Sequence, residues 1–375
     1  MDFETFLLER NQSLYENNVE INLTESGVHA TSLRNLLTAD EVSALLDIQL
    51  SYGFTEGTPE VRAAVAAWHP GATASNVLIT TGASEANLVS LLSAVDAGDE
   101  VIAILPNFMQ ILGAARAFGA KVKTVPLLEE TGWGIDAEAL NAAISSRTKL
   151  IAVCNPNNPT GALISETDRS LLLRTASMAD AWLLVDEIYR GAELDGREET
   201  PTFWGQGAKV IVTGGMAKSF GHPGLRIGWV LAPEKFIYEC MRRQDYTTIG
   251  ASPISHYVTS ILLAPDRRDQ LLARGRTVLN ANLNLLRQWV LSRHEQLSMV
   301  EPRAGGMAFL SYQGTAKSEE VSRMLREQEG VFVVAGSWFG LEGRLRIGIG
   351  GDSATLKEGL RRVGRFFNNR NNAYI

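Results

Sequence analysis

Residues 209–229 read KVIVTGGMAKSFGHPGLRIGW. The stretch opens on Val210, Ile211 and Val212, turns through Gly214 and Gly215, and reaches Lys218 among small residues. Arg226 follows, just before a second apolar run, IGWVLA (227–232). A β-branched run without polar alternation is the pattern of a strand buried on both faces, as in a mostly parallel sheet covered by helices. Open sheets of this kind hold ligands beyond the C-terminal ends of their strands. A lysine at such an end is a candidate for chemistry, although a lone lysine in a glycine-rich loop is more often simply solvated.

The same texture recurs outward from this stretch. NVLITT (76–81), EVIAIL (100–105), KVKTVPL (121–127), KLIAVCN (149–155) and WLLVDEIY (182–189) read as further strands, with helices over 84–95 and 109–119. After about residue 265 the pattern becomes a long amphipathic helical stretch. GMAFLSY (306–312), VFVVAG (331–336) and RLRIGIG (344–350) then read as strands, and 353–369 as a last helix. The expected organisation is a large α/β domain over 45–265 and a small α+β domain over 266–375. Residues 1–44 read as an irregular segment that packs on the small domain and lines the active site.

Composition narrows the function classes. The chain has 375 residues, is 45% hydrophobic and 21% charged, and carries a formal net charge of -7. No basic block points to nucleic acid, and no apolar run approaches the ~20 residues that span a bilayer. The N-terminus MDFETFLLER is acidic and lacks the apolar core of a signal peptide. Cys154 and Cys240 have no metal-binding spacing and read as buried free thiols. The expectation is a cytoplasmic enzyme.

The strand ends supply a specific set of groups. Gly82-Ala83-Ser84 opens a helix, where backbone N–H groups and a hydroxyl favour phosphate. Phe108 follows one strand, Asn158 lies in NPNNPTG (155–161), and Asp186 and Tyr189 end another. With Lys218 and Arg226, these fit pyridoxal 5'-phosphate (PLP). The lysine would hold it as a Schiff base, and a carboxylate would keep its pyridine nitrogen protonated. Blander readings stand beside these: Asp186 as a helix cap, Phe108 as plain core, Arg346 as a surface-strand charge. Asn155 and Asn157 read as turn residues, His69, His256 and His294 as structural or solvated, and His222 is given no role.

TGASEAN, NPNNPTG, LLVDEIYR, AKSFGHPGLRIGW and LRIGIG, in this order, make the protein resemble the class I/II aminotransferases of PLP fold type I. The resemblance covers nearly the whole sequence. It implies a large domain with a mostly parallel seven-stranded sheet, plus a smaller α+β domain. It makes Lys218 the Schiff-base lysine, pairs Asp186 with the pyridinium, and gives Tyr189 and Asn158 to the ring oxygen and Phe108 to the ring face. Ser84, Arg226 and Ala83 would bind phosphate, and Arg346 the substrate α-carboxylate. Tyr52 would reach the phosphate of a neighbouring subunit, which implies a homodimer acting on a small amino acid. One departure stands out: Gly215 occupies the position of a serine that often binds phosphate in relatives.

PLP chemistry leaves the outcome at the substrate open between transamination and elimination or replacement on the side chain. Glu9, Thr24, Glu25 and His29 lie near Gly27, at a place where the family lines its substrate mouth. Glu9 and Glu25 read either as solvated or capping carboxylates or as receivers of a guanidinium. LLER, SGVH (26–29) and DYTTIGASP (245–253) are similar to the capreomycidine-synthase group of hydroxyarginine cyclases. That resemblance implies dehydrative cyclisation of a hydroxylated arginine, with ordinary transamination as the alternative.

Overall fold

The computed structural model describes residues 2–369. Its strands in order are β1 (Ile21–Asn22), β2 (Val77–Thr80), β3 (Glu100–Leu105), β4 (Lys121–Leu128), β5 (Gly134–Ile135), β6 (Thr148–Cys154) and β7 (Trp182–Asp186). They continue with β8 (Val210–Gly215), β9 (Gly228–Leu231), β10 (Leu297–Met299), β11 (Met307–Tyr312), β12 (Val331–Phe332), β13 (Val334–Ala335) and β14 (Arg344–Gly348).

The large sheet has the order β2-β9-β8-β7-β6-β3-β4-β5. Strands β4, β3, β6, β7 and β8 run parallel. β9 is inserted antiparallel between β8 and β2, and the two-residue β5 pairs antiparallel at the far edge, giving eight strands where the family resemblance implied seven. The continuous apolar runs are explained by burial on both faces. Ile151 and Val153 of β6 face one core cluster while Leu150 and Ala152 face the other, and β7 divides Leu183 and Val185 from Leu184 in the same way. Each such fully buried large aliphatic residue contributes about 1.5–3 kcal/mol of burial free energy.

A second, antiparallel sheet has the order β10-β11-β14-β13. Two amphipathic helices share its core, Pro265–Leu291 through Leu279, Leu283 and Leu286, and Ser353–Asn369 through Leu356, Leu360 and Val363. These residues recur at helical spacing, so each helix buries one stripe.

The N-terminal region departs from the expectation of irregularity. Residues Leu7–Tyr15 form a helix, and Leu33–Leu36 and Ala39–Leu46 form two more. Between them, residues 21–29 are bonded to both sheet systems. β1 pairs with β12, and the amide of Gly348 donates to the Leu23 carbonyl (2.7 Å). The Val28 amide donates to the carbonyl of Lys218 (3.0 Å), and that of His29 to Gly350 (2.8 Å). The approach is close enough to require glycine. A Cβ on Gly27 would stand 2.9 Å from the Lys218 Cα, and one on Gly350 would overlap the Gly27 carbonyl oxygen.

Candidate active site

The C-terminal ends of the parallel strands open into a cavity of about 220 Å³. The helix Ala83–Ala94 begins at its edge, preceded by Gly82, so Ala83 and Ser84 present the positive end of a twelve-residue helix dipole. Arg226 lines the same side. Asp186, the last residue of β7, lines the cavity as well, accepting from the Asn87 amide (2.9 Å) and the Ile188 backbone N–H (3.1 Å). Thr213 in turn donates to Asn87 Oδ1 (2.7 Å), fixing that amide's orientation. Burial raises the Asp186 carboxyl above its ordinary range, against the opposing donations from Asn87 and Ile188.

Tyr189 is buried, its hydroxyl 2.8 Å from Ser26 Oγ. Desolvation pushes the phenol up to about 12, so it stays protonated at neutral pH despite the nearby Lys218 and Arg346. Arg346 on β14 is 1% exposed. It donates from Nη1 to Asn158 Oδ1 (2.7 Å) and from Nη2 to the Thr24 carbonyl (2.5 Å), while its Nε has no partner among the described residues. Because Arg346 holds the carbonyl end of the Asn158 amide, the NH2 end is left as the free donor. The remaining N–H groups on the two terminal nitrogens suit a carboxylate.

Lys218 Nζ lies 2.6 Å from Glu25 Oε1, which also accepts the backbone N–H groups of Ser26 (2.8 Å) and Gly27 (2.9 Å). The Glu25 side chain is 46% exposed and lines a second recess with Gly27 and His29 rather than the cavity itself, meeting the site through Lys218. Desolvation works to raise the Glu25 carboxyl, but the Lys218 charge and hydrogen bond, with the Gly27 amide, overcome it and hold the group at about 2. Desolvation likewise works to lower the Lys218 ammonium, and Glu25 and Tyr189 outweigh it, so the amine binds its proton more tightly than a free lysine.

The structure gathers Glu9, Ala83, Ser84, Phe108, Asn158, Asp186, Tyr189, Lys218, Arg226 and Arg346 on one cavity. Phe108 also meets Phe6, with ring centroids 4.9 Å apart. Thr24 stands behind the cavity rather than in it, bracing Arg346 through its carbonyl. Gly27 supplies the close approach to Lys218. His29 points elsewhere: its ring bonds the Gly350 carbonyl (3.1 Å) and Arg274 (2.8 Å) and does not line the cavity. Tyr52 is 89% exposed and lies outside the cavity of the single protomer.

Sequence reading missed Leu8, Gln12, Ser26, Asn87 and Cys154 as lining residues, and Glu16 as a neighbour. Gln12 donates to Thr24 Oγ1 (3.0 Å). Burial, reinforced by the charges of Glu25 and Glu9, raises the Glu16 carboxyl, which places Glu16 within electrostatic reach of both. The signal was the helical spacing 9, 12, 16, hidden because the helix itself was not foreseen. Both cysteines are buried free thiols. Among the described residues, no helix is long and apolar enough to cross a membrane, and no cluster of metal-ligating groups occurs.

A lysine and an arginine at strand ends, a helix N-terminus with a hydroxyl, and a buried carboxylate opposite a phenol and an amide form a donor set that fits PLP. Fold and site together define a PLP-dependent enzyme of fold type I. Residues 33–363 match the family Aminotransferase class I and II, and the protein belongs to it. Capreomycidine synthase of Streptomyces vinaceus is 30% identical over 345 residues, covering 90% of this sequence and 87% of that protein. A PLP-dependent aminotransferase from Streptococcus suis superimposes with a TM-score of 0.93 at 29% identity, over 100% of both proteins. The PLP-dependent cyclase OrfR superimposes with a TM-score of 0.89 at 25% identity, over 99% of this protein and 98% of that one.

Proposed function

We propose that the enzyme cyclises a hydroxylated L-arginine with loss of water, forming a cyclic guanidino amino acid. The observation that carries this reading is the acidic wall beside Lys218 and Arg346. Glu9 and Gln12 of the N-terminal helix line the cavity, Glu16 follows one turn on, and Glu25 sits beside Lys218. Such a wall suits a cationic group on an amino acid whose carboxylate is held by Arg346. The similarity to capreomycidine synthase and to a PLP-dependent cyclase supports the same reading.

Bound PLP supplies the electron sink that stabilises negative charge at the substrate Cα. The residues do the rest. Asp186 keeps a proton on the pyridine nitrogen, and Ser84, Ala83 and Arg226 hold the phosphate. Arg346 fixes the α-carboxylate, and Lys218 Nζ takes the Cα proton and later returns it. The bond from the hydroxylated carbon to its oxygen breaks, and the hydroxyl takes up one proton from solvent and leaves as water, a proton restored to solvent after the ring closes. A guanidine nitrogen then bonds to the substrate's own carbon skeleton, closing the ring, and gives its proton to a carboxylate of the acidic wall. The net change is the loss of one water.

Ordinary transamination is the second reading, favoured by the match to the Streptococcus suis aminotransferase over its whole length. The test is incubation of the PLP-loaded enzyme with hydroxylated arginines, without a keto acid, and product mass. Loss of water with the amine retained is expected. Glu9→Gln should keep PLP and lose about ten- to a hundredfold in kcat/KM for these substrates, the difference between a charged and a neutral hydrogen bond. Turnover only when a keto acid is added would overturn cyclisation in favour of transamination.

A further inference from the structure

We infer that Glu25 is an exchangeable counter-ion: it grips the Lys218 ammonium while that amine is free, and passes to the substrate's cationic group when one enters. The inference rests on the cationic-substrate reading above and adds to it a role for the lysine's partner.

The geometry is specific. Glu25 Oε1 already accepts two backbone N–H groups, so the carboxylate is held in place by its own turn and reaches Lys218 Nζ at 2.6 Å. Lys218 lines the cavity with its side chain 27% exposed, and Glu25, its side chain 46% exposed, reaches the amine from a second recess that it lines with Gly27 and His29. An incoming guanidinium can therefore meet the carboxylate from the solvent side without unfolding the turn. The other charged or titratable groups around Lys218 are Tyr189, Arg346, Asp186, Glu9, Glu16, Cys154 and Arg226. Of these groups and Glu25, only Glu25 bonds the amine directly.

The consequence is a lysine whose basicity depends on what occupies the site. With Glu25 engaged, Lys218 stays protonated and is a poor nucleophile and base. When a guanidinium takes Glu25, the attraction holding that proton is shared with a second cation, and the neutral amine becomes more abundant. A substrate of the right charge thereby readies the base that acts on it.

The test reads Lys218 chemistry in the full-length protein freed of PLP. Formaldehyde and cyanoborohydride methylate neutral amines: the nitrogen adds to the aldehyde, water leaves, and hydride from the cyanoborohydride reduces the C=N bond. Labelling at Lys218 is followed by peptide mass spectrometry, with the exposed Lys121 as internal standard. Glu25→Gln keeps an oxygen for the Ser26 and Gly27 amides and should label at Lys218 about tenfold faster than wild type, or more. In wild type, 5-guanidinopentanoate (arginine without its α-amine) should speed labelling, hexanoate should not, and in Glu25→Gln neither should. Equal Lys218 rates in the two proteins overturn the grip. A fast Glu25→Gln variant with a wild type indifferent to the guanidino acid overturns the exchange. The wild-type arm needs no variant and stands if Glu25→Gln fails to fold. Cyclised product without the guanidino effect leaves the proposed reaction intact and removes this role for Glu25. The effect without cyclised product does the reverse.

Discussion

Replacing Arg346 by lysine tests the substrate-carboxylate role most sharply. The guanidinium spends one N–H on Asn158 and one on the Thr24 carbonyl, from two different nitrogens, and keeps one more on each for a carboxylate. A lysine ammonium is a single point with three donors. It cannot serve Asn158, Thr24 and two carboxylate oxygens together, so at least one charge-assisted bond to substrate is lost. That bond contributes about 1.5–3 kcal/mol, and at about 1.4 kcal/mol per tenfold the KM for an α-amino acid should rise roughly ten- to 150-fold. If the ammonium abandons Asn158 or Thr24 instead, a buried acceptor goes unsatisfied at a cost of about 1–3 kcal/mol, and the melting temperature falls. Steady-state rates taken well below the variant's melting temperature separate the two losses. A KM effect with kcat nearly unchanged is expected, because the carboxylate is held equally in ground and transition states. An Arg346→Lys enzyme that is folded, and whose KM stays within about threefold of wild type, would refute the reasoning.

Two further outcomes concern other parts of the molecule. Glu187 is buried, accepting from the Phe203 amide (2.7 Å) and the Thr202 hydroxyl (3.1 Å), and burial pushes its carboxyl up to about 7. The folded value lies above the unfolded one, so the folded state binds more protons between about pH 4.5 and 7, and stability falls as pH rises through that window, by roughly 3 kcal/mol at most. Glu187→Gln should flatten that decline in a series of thermal melts from about pH 5 to 8, and parallel curves for the two proteins would contradict the assignment. Leu50, Tyr52 and Ile249 are exposed and line one recess, which fits the surface of a homodimer in which Tyr52 reaches the partner's site. Sedimentation equilibrium should give twice the protomer mass, and Leu50→Asp should weaken association about ten- to a hundredfold. A monomer at micromolar concentration would remove the shared-site reading.

What the sequence exposed and what it hid follow from the same physics. Strands buried on both faces announce themselves as unbroken apolar runs, which is why β6, β7 and β8 were readable. The antiparallel insertion of β9 was not, because strand direction leaves no mark on a period of two. Lys218, Asp186, Asn158 and Ser84 were legible because each stands at a strand end or a helix start that the apolar pattern had located. The helix Leu7–Tyr15 was missed for local reasons: Phe6 offers no capping hydrogen bond, and Leu8 is the helix's single buried residue. With that helix unseen, Gln12 and Glu16 had no common face with Glu9. Asn87 lay in plain view within TGASEAN, one turn past Ser84. Its contact with Asp186 depends on how the helix crosses the sheet, which a linear pattern does not encode. His29 lies off the cavity because closeness in sequence to Gly27 says nothing about which side of a tightly pinned segment a ring takes.

The pinning of residues 21–29 separates two properties that most enzymes mix. Its backbone is fixed by main-chain bonds that ignore side chains and by close contacts that demand glycine at 27 and 350, whereas Glu9 and Gln12 line the cleft from the neighbouring helix and Glu25 reaches Lys218 from the frame itself. Under the proposed reaction, the substrate's cationic end falls to one short block at the start of the sequence, and its carboxylate and the bond-making chemistry to Arg346 and the strand ends. Such a block can diverge, or be transplanted between proteins of this fold, as a unit, with the lysine and its sheet left as they are.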